Sequence, residues 1–499
     1  MTTAPATERS QTPTDTGGHR LVIITLLVAA FVMILNETIM GVALPRLMTS
    51  LDITAGTAQW LTAAFLLTMA VVIPTTGFLL QRLSTRTVFL GAMTCFCIGT
   101  LLAGVSQGFL LLLVARIIQA CGTAVMLPLL MTTILTLVPL HRRGRVMGNV
   151  SIVISVAPAI GPTLSGLILQ YLSWRFMFLL VLPVALLALL FGALRLTNVN
   201  EAGNQRLDLA SVALSVPAFG GLVFGLSRLG EAHSSAQLTI AVGTLALGVV
   251  CLLLFGWRQL RLQHGGAPLL DLRVFAFPMF RVGVALLVIT MMGLFGIIIL
   301  LPIYLQNIRG LDSLTTGLLL LPGGLLMGLL APGVGRLFDR YGPRGLSTLG
   351  ATLVCLMLWR FSTVDAGSPV WQLLATHVIL SVGLSCLFTP AFTTALNPLP
   401  PHLYSHGSAT LTTLQQVGGA AGTALLVAVM TARTVSATDA GSSAAAAQSS
   451  GLSTAFLVAT GFAAVAIVVA LFMRSPRAGE QGAGEQGAGE QAAPAEGHA

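Results

Sequence analysis

The sequence predicts an all-α polytopic membrane protein: two six-helix bundles with a helix pair inserted between them, fourteen transmembrane helices in all. Three observations carry this. The 499-residue chain is 55% hydrophobic and only 8% charged, about a third of the charge share of a soluble domain, too little to build a water-facing surface. Its apolar runs have the length that crosses a bilayer core, about 20 residues each. A ten-residue pattern also occurs twice, once in each half, as expected of a chain built from two related halves.

The runs are separated by Arg, Pro or Gly and lie near 21–44, 57–80, 87–106, 110–136, 146–170 and 174–196. They predict an N-terminal six-helix bundle over 21–196. Runs near 208–228 and 237–257 fall in a segment, 197–260, of linker and two additional helices. Six more, near 281–305, 315–337, 345–363, 369–393, 407–432 and 452–473, predict a C-terminal six-helix bundle over 261–473. The first run is too long for a signal-peptide core and is expected to remain as a span. Residues 1–20, rich in Thr, Pro and Ser, and 474–499, with a repeated AGEQG, have no apolar face and are expected to be disordered tails.

Charge placement sets the orientation. All 25 basic residues are Arg, which with 53 Gly suggests a GC-rich bacterial genome. With the N-terminus inside, eighteen Arg fall in cytoplasmic loops and tails, six fall outside, and Arg116 alone lies in a span. This bias predicts a multi-pass protein of the bacterial cytoplasmic membrane with both termini cytoplasmic. The net charge of +9 does not point to nucleic acid, because the Arg are scattered over short loops rather than gathered on one domain. The six Cys lie in apolar runs without CxxC or ligand spacing, so no metal, redox centre or cofactor is expected. No P-loop, G-x-S-x-G, H-E-x-x-H or paired catalytic carboxylate occurs, so no catalytic residue is assigned and an enzyme is not expected. An energy source other than ATP follows, namely an ion gradient.

Five motifs carry the chemistry. Gly77–Arg86 reads GFLLQRLSTR and Gly335–Arg344 reads GRLFDRYGPR, at the ends of helices 2 and 10. Gly77, Arg82 and Arg86 thus correspond to Gly335, Arg340 and Arg344. Asp339 can accept a charge-assisted hydrogen bond from an Arg or a helix N-terminus, and Gly342 permits a tight turn, so the loop is a candidate latch between halves. Helix 4 contains ARIIQACGTAVMLP, placing Arg116, Gln119 and Thr123 on one face, with Gln119 and Thr123, like Asn36 of helix 1, candidate residues of a substrate cavity. Helix 5 contains APAIGPTLSG, in which Pro158 and Pro162 remove backbone donors while Gly161 and Gly166 admit a close neighbour, a candidate hinge. Helix 1 contains LNETIMGVALP. Its Glu37 is the one acid deep in a span of the N-terminal half and a candidate proton carrier beside Asn36. Polar stripes on helix 12 (His377, Ser381, Ser385) and helix 13 (Thr412, Gln415, Gly419) fit a cavity wall or interhelical glue equally well. Met291, Met292 and Phe295 on helix 9 are better suited to core packing than to contacts with bulky ligands.

Taken together these motifs resemble the major facilitator superfamily, specifically its fourteen-helix drug:H⁺ antiporter-2 branch. The resemblance implies a proton-coupled exporter of drugs, antibiotics or toxic metabolites that works by alternating access, with Arg116 coupling proton and substrate movement and the helix-5 motif marking export. The partners it implies are an amphipathic or cationic small molecule, protons and the lipid bilayer; a monomer is expected. Two departures stand out. Gln81 and Ser84 replace the acid and the Gly of the first loop copy, and Asn36 stands where the family pattern L-D-x-T has its acid, with Glu37 one residue on. An uptake or lipid carrier on the same scaffold, or a receptor or channel, is the alternative.

Overall fold

The computed structural model describes residues 16–199, 208–231, 234–263, 268–364 and 367–474. The expected C-terminal tail beyond Arg474 and the first fifteen residues of the N-terminal one lie outside the described residues. Among the described residues there is no strand, and fourteen helices are long and apolar enough to cross a membrane.

Helices α1–α6 are Thr16–Leu51, Ala55–Arg82, Thr85–Val105, Phe109–Leu137, Arg143–Tyr171 and Phe176–Arg195. The inserted pair follows. Its first member, α7, is built of Leu209–Ser215, a π-turn at Val216–Gly220, and Gly221–Glu231; the second, α8, is Ser235–Leu262. Helices α9–α14 are Pro278–Ile303, Ser313–Tyr341, Pro343–Ser362, Val370–Leu396, Tyr404–Asp439 and Ala444–Leu471. Most helices run past the apolar stretch that announces them. Once a helix is nucleated each further residue adds a hydrogen bond, and α1 accordingly starts at Thr16, inside the segment read as tail.

Helix starts are fixed by local chemistry. Thr54, Ser84, Ser234 and Ser443 turn their side-chain oxygens onto the free first-turn amides of α2, α3, α8 and α14. Asp312 does so at α10, accepting from the amides of Leu314 and Thr315. Gly342 separates α10 from α11 at φ of 79°, a left-handed conformation suited to glycine.

Hydrocarbon gives no hydrophobic drive between helices, so close van der Waals approach holds them together. At α3/α4, Gly122 lies so near the Ala92 carbonyl that a Cβ would stand 2.3 Å from its oxygen. Across the halves, α5 and α10 touch from Gly144 and Gly335 at one end to Gly166 and Leu314 at the other. Gly122→Ala, opposed by backbone that cannot swing aside, should destabilise the protein by about 1–3 kcal/mol. Gly91→Ala, with nothing within 4 Å of its Cβ, should change it by less than about 0.5 kcal/mol. Thermal unfolding of both variants in detergent checks this.

Candidate functional site

The centre of the N-terminal bundle is polar, and Arg116 is its hub. A charged side chain at the middle of a span costs about 2.5–3.5 kcal/mol on insertion scales, and Arg116 is fully buried. Part of that cost is offset locally. Its Nη1 donates to Asn36 Oδ1 on α1 at 3.2 Å and to Gln119 Oε1 at 3.1 Å, one turn along α4. Gln119 in turn donates from Nε2 to Thr100 Oγ1 on α3 at 2.9 Å. The Phe65 ring of α2 lies 4.1 Å from the guanidinium carbon, a cation–π contact strengthened by exclusion of water. Four helices are thereby fastened to one cation. Arg116 Nε and Nη2 find no hydrogen-bond partner among the described residues.

Glu37 follows Asn36 on α1, and one residue turns a side chain by about 100° around a helix. Glu37 lines a cavity of about 20 Å³, room for about one water. Thr123 of α4 and Thr412 of α13 also line this cavity, with Met33, Met69 and Met126. The acid and the residue that holds the arginine are therefore separate side chains.

The other expected positions are distributed more widely. His377 Nε2 lies 3.2 Å from the Leu320 carbonyl oxygen of α10, and both His377 and Ser381 pack against Gly323 of α10. They meet at the α10/α12 contact, away from the Glu37 cavity. Gln415 is buried with Nε2 unpartnered, while its neighbour Gln416 reaches Met69 Sδ at 3.9 Å. On α5 the helix continues through Pro158 and Pro162. A Cβ on Gly161 would come within 2.3 Å of Thr38 Oγ1 on α1, and one on Gly166 within 3.7 Å of Leu314. The three cavity methionines escape a reading of the sequence because they lie on three helices in no shared motif. Met291 and Met292 sit instead on α9, where the Met292 backbone meets Gly422 of α13.

At the Arg-rich end the two bundles are bolted together. Asp339 of α10 accepts from the amides of Gly144 and Arg145, both at 3.0 Å. A carboxylate from one half thus sits on the positive N-terminus of α5 in the other. The pseudo-equivalent Gln81 donates from Nε2 to the His402 carbonyl at 2.9 Å, and Gly77 packs against His406. Arg143, missed from the sequence, is buried here. It donates to the carbonyls of Leu135 (2.6 Å) and Val138 (3.0 Å) at the end of α4, and to Tyr404 Oη (3.0 Å) of the other half. Hydroxyl pairs Thr132–Ser408 and Ser151–Thr389, each 2.8 Å, complete the seal. The remaining motif arginines serve locally: Arg86 donates to the Ala193 carbonyl on α6, Arg82 lies 6.0 Å from the Phe78 ring and Arg340 5.2 Å from Tyr341, and Arg344 is exposed.

Two six-helix bundles around a polar centre, sealed at one end by contacts between the halves, define a multi-pass membrane transporter rather than an enzyme. The chain matches the Major Facilitator Superfamily over residues 26–423 and belongs to it. It is 41% identical over 424 residues to the lincomycin resistance protein LmrB of Listeria monocytogenes, covering 84% of this chain and 88% of that one. To LmrB of Bacillus subtilis it is 42% identical over 411 residues, covering 82% and 85%. Among solved structures it is similar in fold to the human organic anion transporter MFSD10 (TETRAN), with a TM-score of 0.61 and 15% identity, covering 92% of this chain and all of that one.

Asp339→Asn turns one of the acceptors on the α5 N-terminus into a donor and removes the charge. It should weaken the seal by about 1–2 kcal/mol, a five- to thirtyfold shift in the ratio of sealed to open molecules. Gln81→Asn should shift it much less. Alkylation rates of a cysteine placed at Thr389, inside the seal, read both.

Proposed function

We propose that this transporter exports antibiotics and other amphipathic or cationic small molecules from the bacterial cell in exchange for protons, by alternating access. The observation that carries this is the division between Asn36 and Glu37. Asn36 keeps the Arg116 guanidinium in place whatever the protonation state, which leaves the Glu37 carboxyl to face the cavity. Arg116 favours the ionised form and burial favours the neutral one. A rocking motion that alters the Glu37–Arg116 distance, or the wetting of the cavity, moves the balance and with it a proton. Moving one charge through 100 mV is worth about 2.3 kcal/mol, enough to drive uphill export.

The substrate reading rests on the residues around this cavity, which at about 20 Å³ would have to widen to admit a drug. Three thioethers beside one carboxyl offer polarizable, rotamer-rich walls that re-pack around differently shaped apolar bodies, with a negative group for a cationic one. The relatives named for lincomycin resistance make lincomycin the first substrate to assay. The Arg bias supports placing the sealed end and both chain termini in the cytoplasm. The bundles over 21–196 and 261–473 would rock against each other.

Proteoliposomes with an imposed pH gradient test the coupling. Glu37→Gln should abolish uphill lincomycin accumulation while preserving binding, and Asn36→Asp in that background should restore part of it. Accumulation against the gradient at the wild-type rate by Glu37→Gln would make that carboxyl structural and remove this reading.

A further inference from the structure

Helix α5 belongs to the N-terminal half by sequence, yet it packs mostly against the other half. Along α10, Gly148 faces the Ala331 carbonyl, Gly328 faces Val156 and Gly324 faces Ala159. The N-terminus of α5 holds Asp339. Within its own half α5 is tied near its ends. Arg143 binds the last turn of α4, and Ser165 donates to Met177 Sδ of α6 at 3.2 Å. Between those ties its main neighbour in the N-terminal half is α1. A movement inside that half therefore reaches the length of α5 through α1.

The two helices meet at Thr38. A Cβ on Gly161 would stand 2.3 Å from Thr38 Oγ1 and 3.0 Å from Thr38 Cβ. The threonine thus fills a notch that exists because residue 161 is glycine. Its hydroxyl donates to the Leu35 and Ile34 carbonyls of its own helix, at 3.0 and 3.2 Å, and lies 3.5 Å from the Ala157 carbonyl oxygen of α5. At that length the bond to α5 is weak. Contact, rather than hydrogen bonding, joins the helices here.

The notch lies in the softest stretch of α5. Pro158 and Pro162 have no N–H, so the carbonyls of Ile154 and Pro158 lose the donor that a regular helix supplies. Gly161 falls between the two prolines, where bending costs least. On the α1 side, Thr38 follows Glu37 directly. Glu37 lines the cavity, and a step of one residue turns a side chain by about 100°. One turn of α1 therefore shows the acid to the cavity and the threonine to α5. The charged group near this turn is Arg116, held by Asn36. The other cavity helices contribute neutral groups, Met69 and Thr412 among them. Helix α5 has no titratable side chain between Arg145 and Tyr171, and α6 has none before Arg195.

We infer that Thr38 is a positioning residue: seated in the Gly161 notch, it carries the protonation state of Glu37 from α1 into α5 and along α5 to the seal. On the reading of Glu37 as the proton carrier, on which this rests, a proton gained or lost changes the attraction to Arg116 and shifts this turn of α1. Thr38 has no free space opposite, so it pushes on α5 instead of slipping past. The bend falls at the prolines, and the far end of α5 is the one that holds Asp339.

Spin-label distances in a cysteine-free, full-length background, in lipid nanodiscs, decide this. Gly91→Cys on α3 with Gly345→Cys on α11, both sites with open space, reads the opening of the Arg-rich end. In that parent the ratio of open to sealed molecules should change about fivefold or more between about pH 5.5 and 8. Glu37→Gln should abolish the response. Thr38→Ala, which empties the notch, should cut it below about twofold, and Thr38→Ser, which keeps the hydroxyl oxygen, should retain it. The deciding variant combines Thr38→Ala with Gly161→Ala. Its added methyl fills the notch from the α5 side and should restore at least about half of the response, a coupling that a double-mutant cycle isolates. A merely structural Thr38 predicts a lowered melting temperature in Thr38→Ala and no return of the pH response in the combined variant. An unresponsive parent, or an undiminished response in Glu37→Gln, removes the proton reading and this inference with it. A response lost in Glu37→Gln but kept in Thr38→Ala, or not restored in the combined variant, overturns this inference alone.

Discussion

A guanidinium sealed inside an apolar bundle fixes the architecture around it. Arg116 cannot be hydrated in the described conformer and cannot be discharged, so four helices are arranged to supply what water would have supplied. Asn36, Gln119 and Thr100 form a hydrogen-bonded line across α1, α4 and α3, and Phe65 adds a ring face from α2. Removing any link leaves a buried polar group unpaired, at about 1–3 kcal/mol each. The N-terminal bundle is thereby held as one piece. A rocking transporter needs rigid halves, because motion that dissipates within a half does not reach the other side of the membrane.

Between the halves the forces are of a different kind. The seal at the Arg-rich end uses one carboxylate on a helix N-terminus, a handful of hydroxyls, and Arg143 against Tyr404. Each contributes about 1 kcal/mol or somewhat more when charged. Such a set can break and re-form within a transport cycle. The asymmetry between the two loop copies follows the same logic. Gln81 contributes a neutral hydrogen bond to the His402 carbonyl where its counterpart Asp339 contributes a charged cap. On the Gln81 side the added strength comes from Arg143, a cation that already satisfies the last carbonyls of α4 and extends to Tyr404.

Fold and site were legible in the sequence to different depths. The fourteen spans were legible because a bilayer imposes length and composition directly on the chain, with little dependence on tertiary contact. Asp339 was legible as an acceptor, since a carboxylate beside a Gly turn has few other uses at a membrane face. Its partner was left between an arginine and a helix end, and the α5 N-terminus is the group that meets it. Arg116, Gln119 and Asn36 stood out as polar residues in apolar runs. What the sequence could not give is which side chains converge from different helices. Met33, Met69 and Met126 line one small cavity together with Thr412, yet each methionine is unremarkable on its own helix. The stripe of His377 and Ser381 fitted cavity wall and interhelical glue alike, and the separation turns on a neighbour, Gly323, that no periodicity reveals.

The one-residue displacement of the acid from position 36 to 37 has a physical consequence that reaches beyond this chain. When the acid itself holds the arginine, protonating it also releases the arginine, so charge and structure change together. Here an amide holds the arginine and the acid stands free of that duty. On the proposed mechanism, the network that braces the bundle would persist through the protonation cycle, and only the electrostatic attraction between Glu37 and Arg116 would vary. That attraction scales with distance and with the local dielectric. A carboxyl lining a cavity changes both when water or a ligand enters. On that mechanism, occupancy of the cavity would be the variable that sets the affinity for the proton. By reciprocity the proton sets the affinity for whatever occupies the cavity, and this mutual dependence is what an exchanger requires.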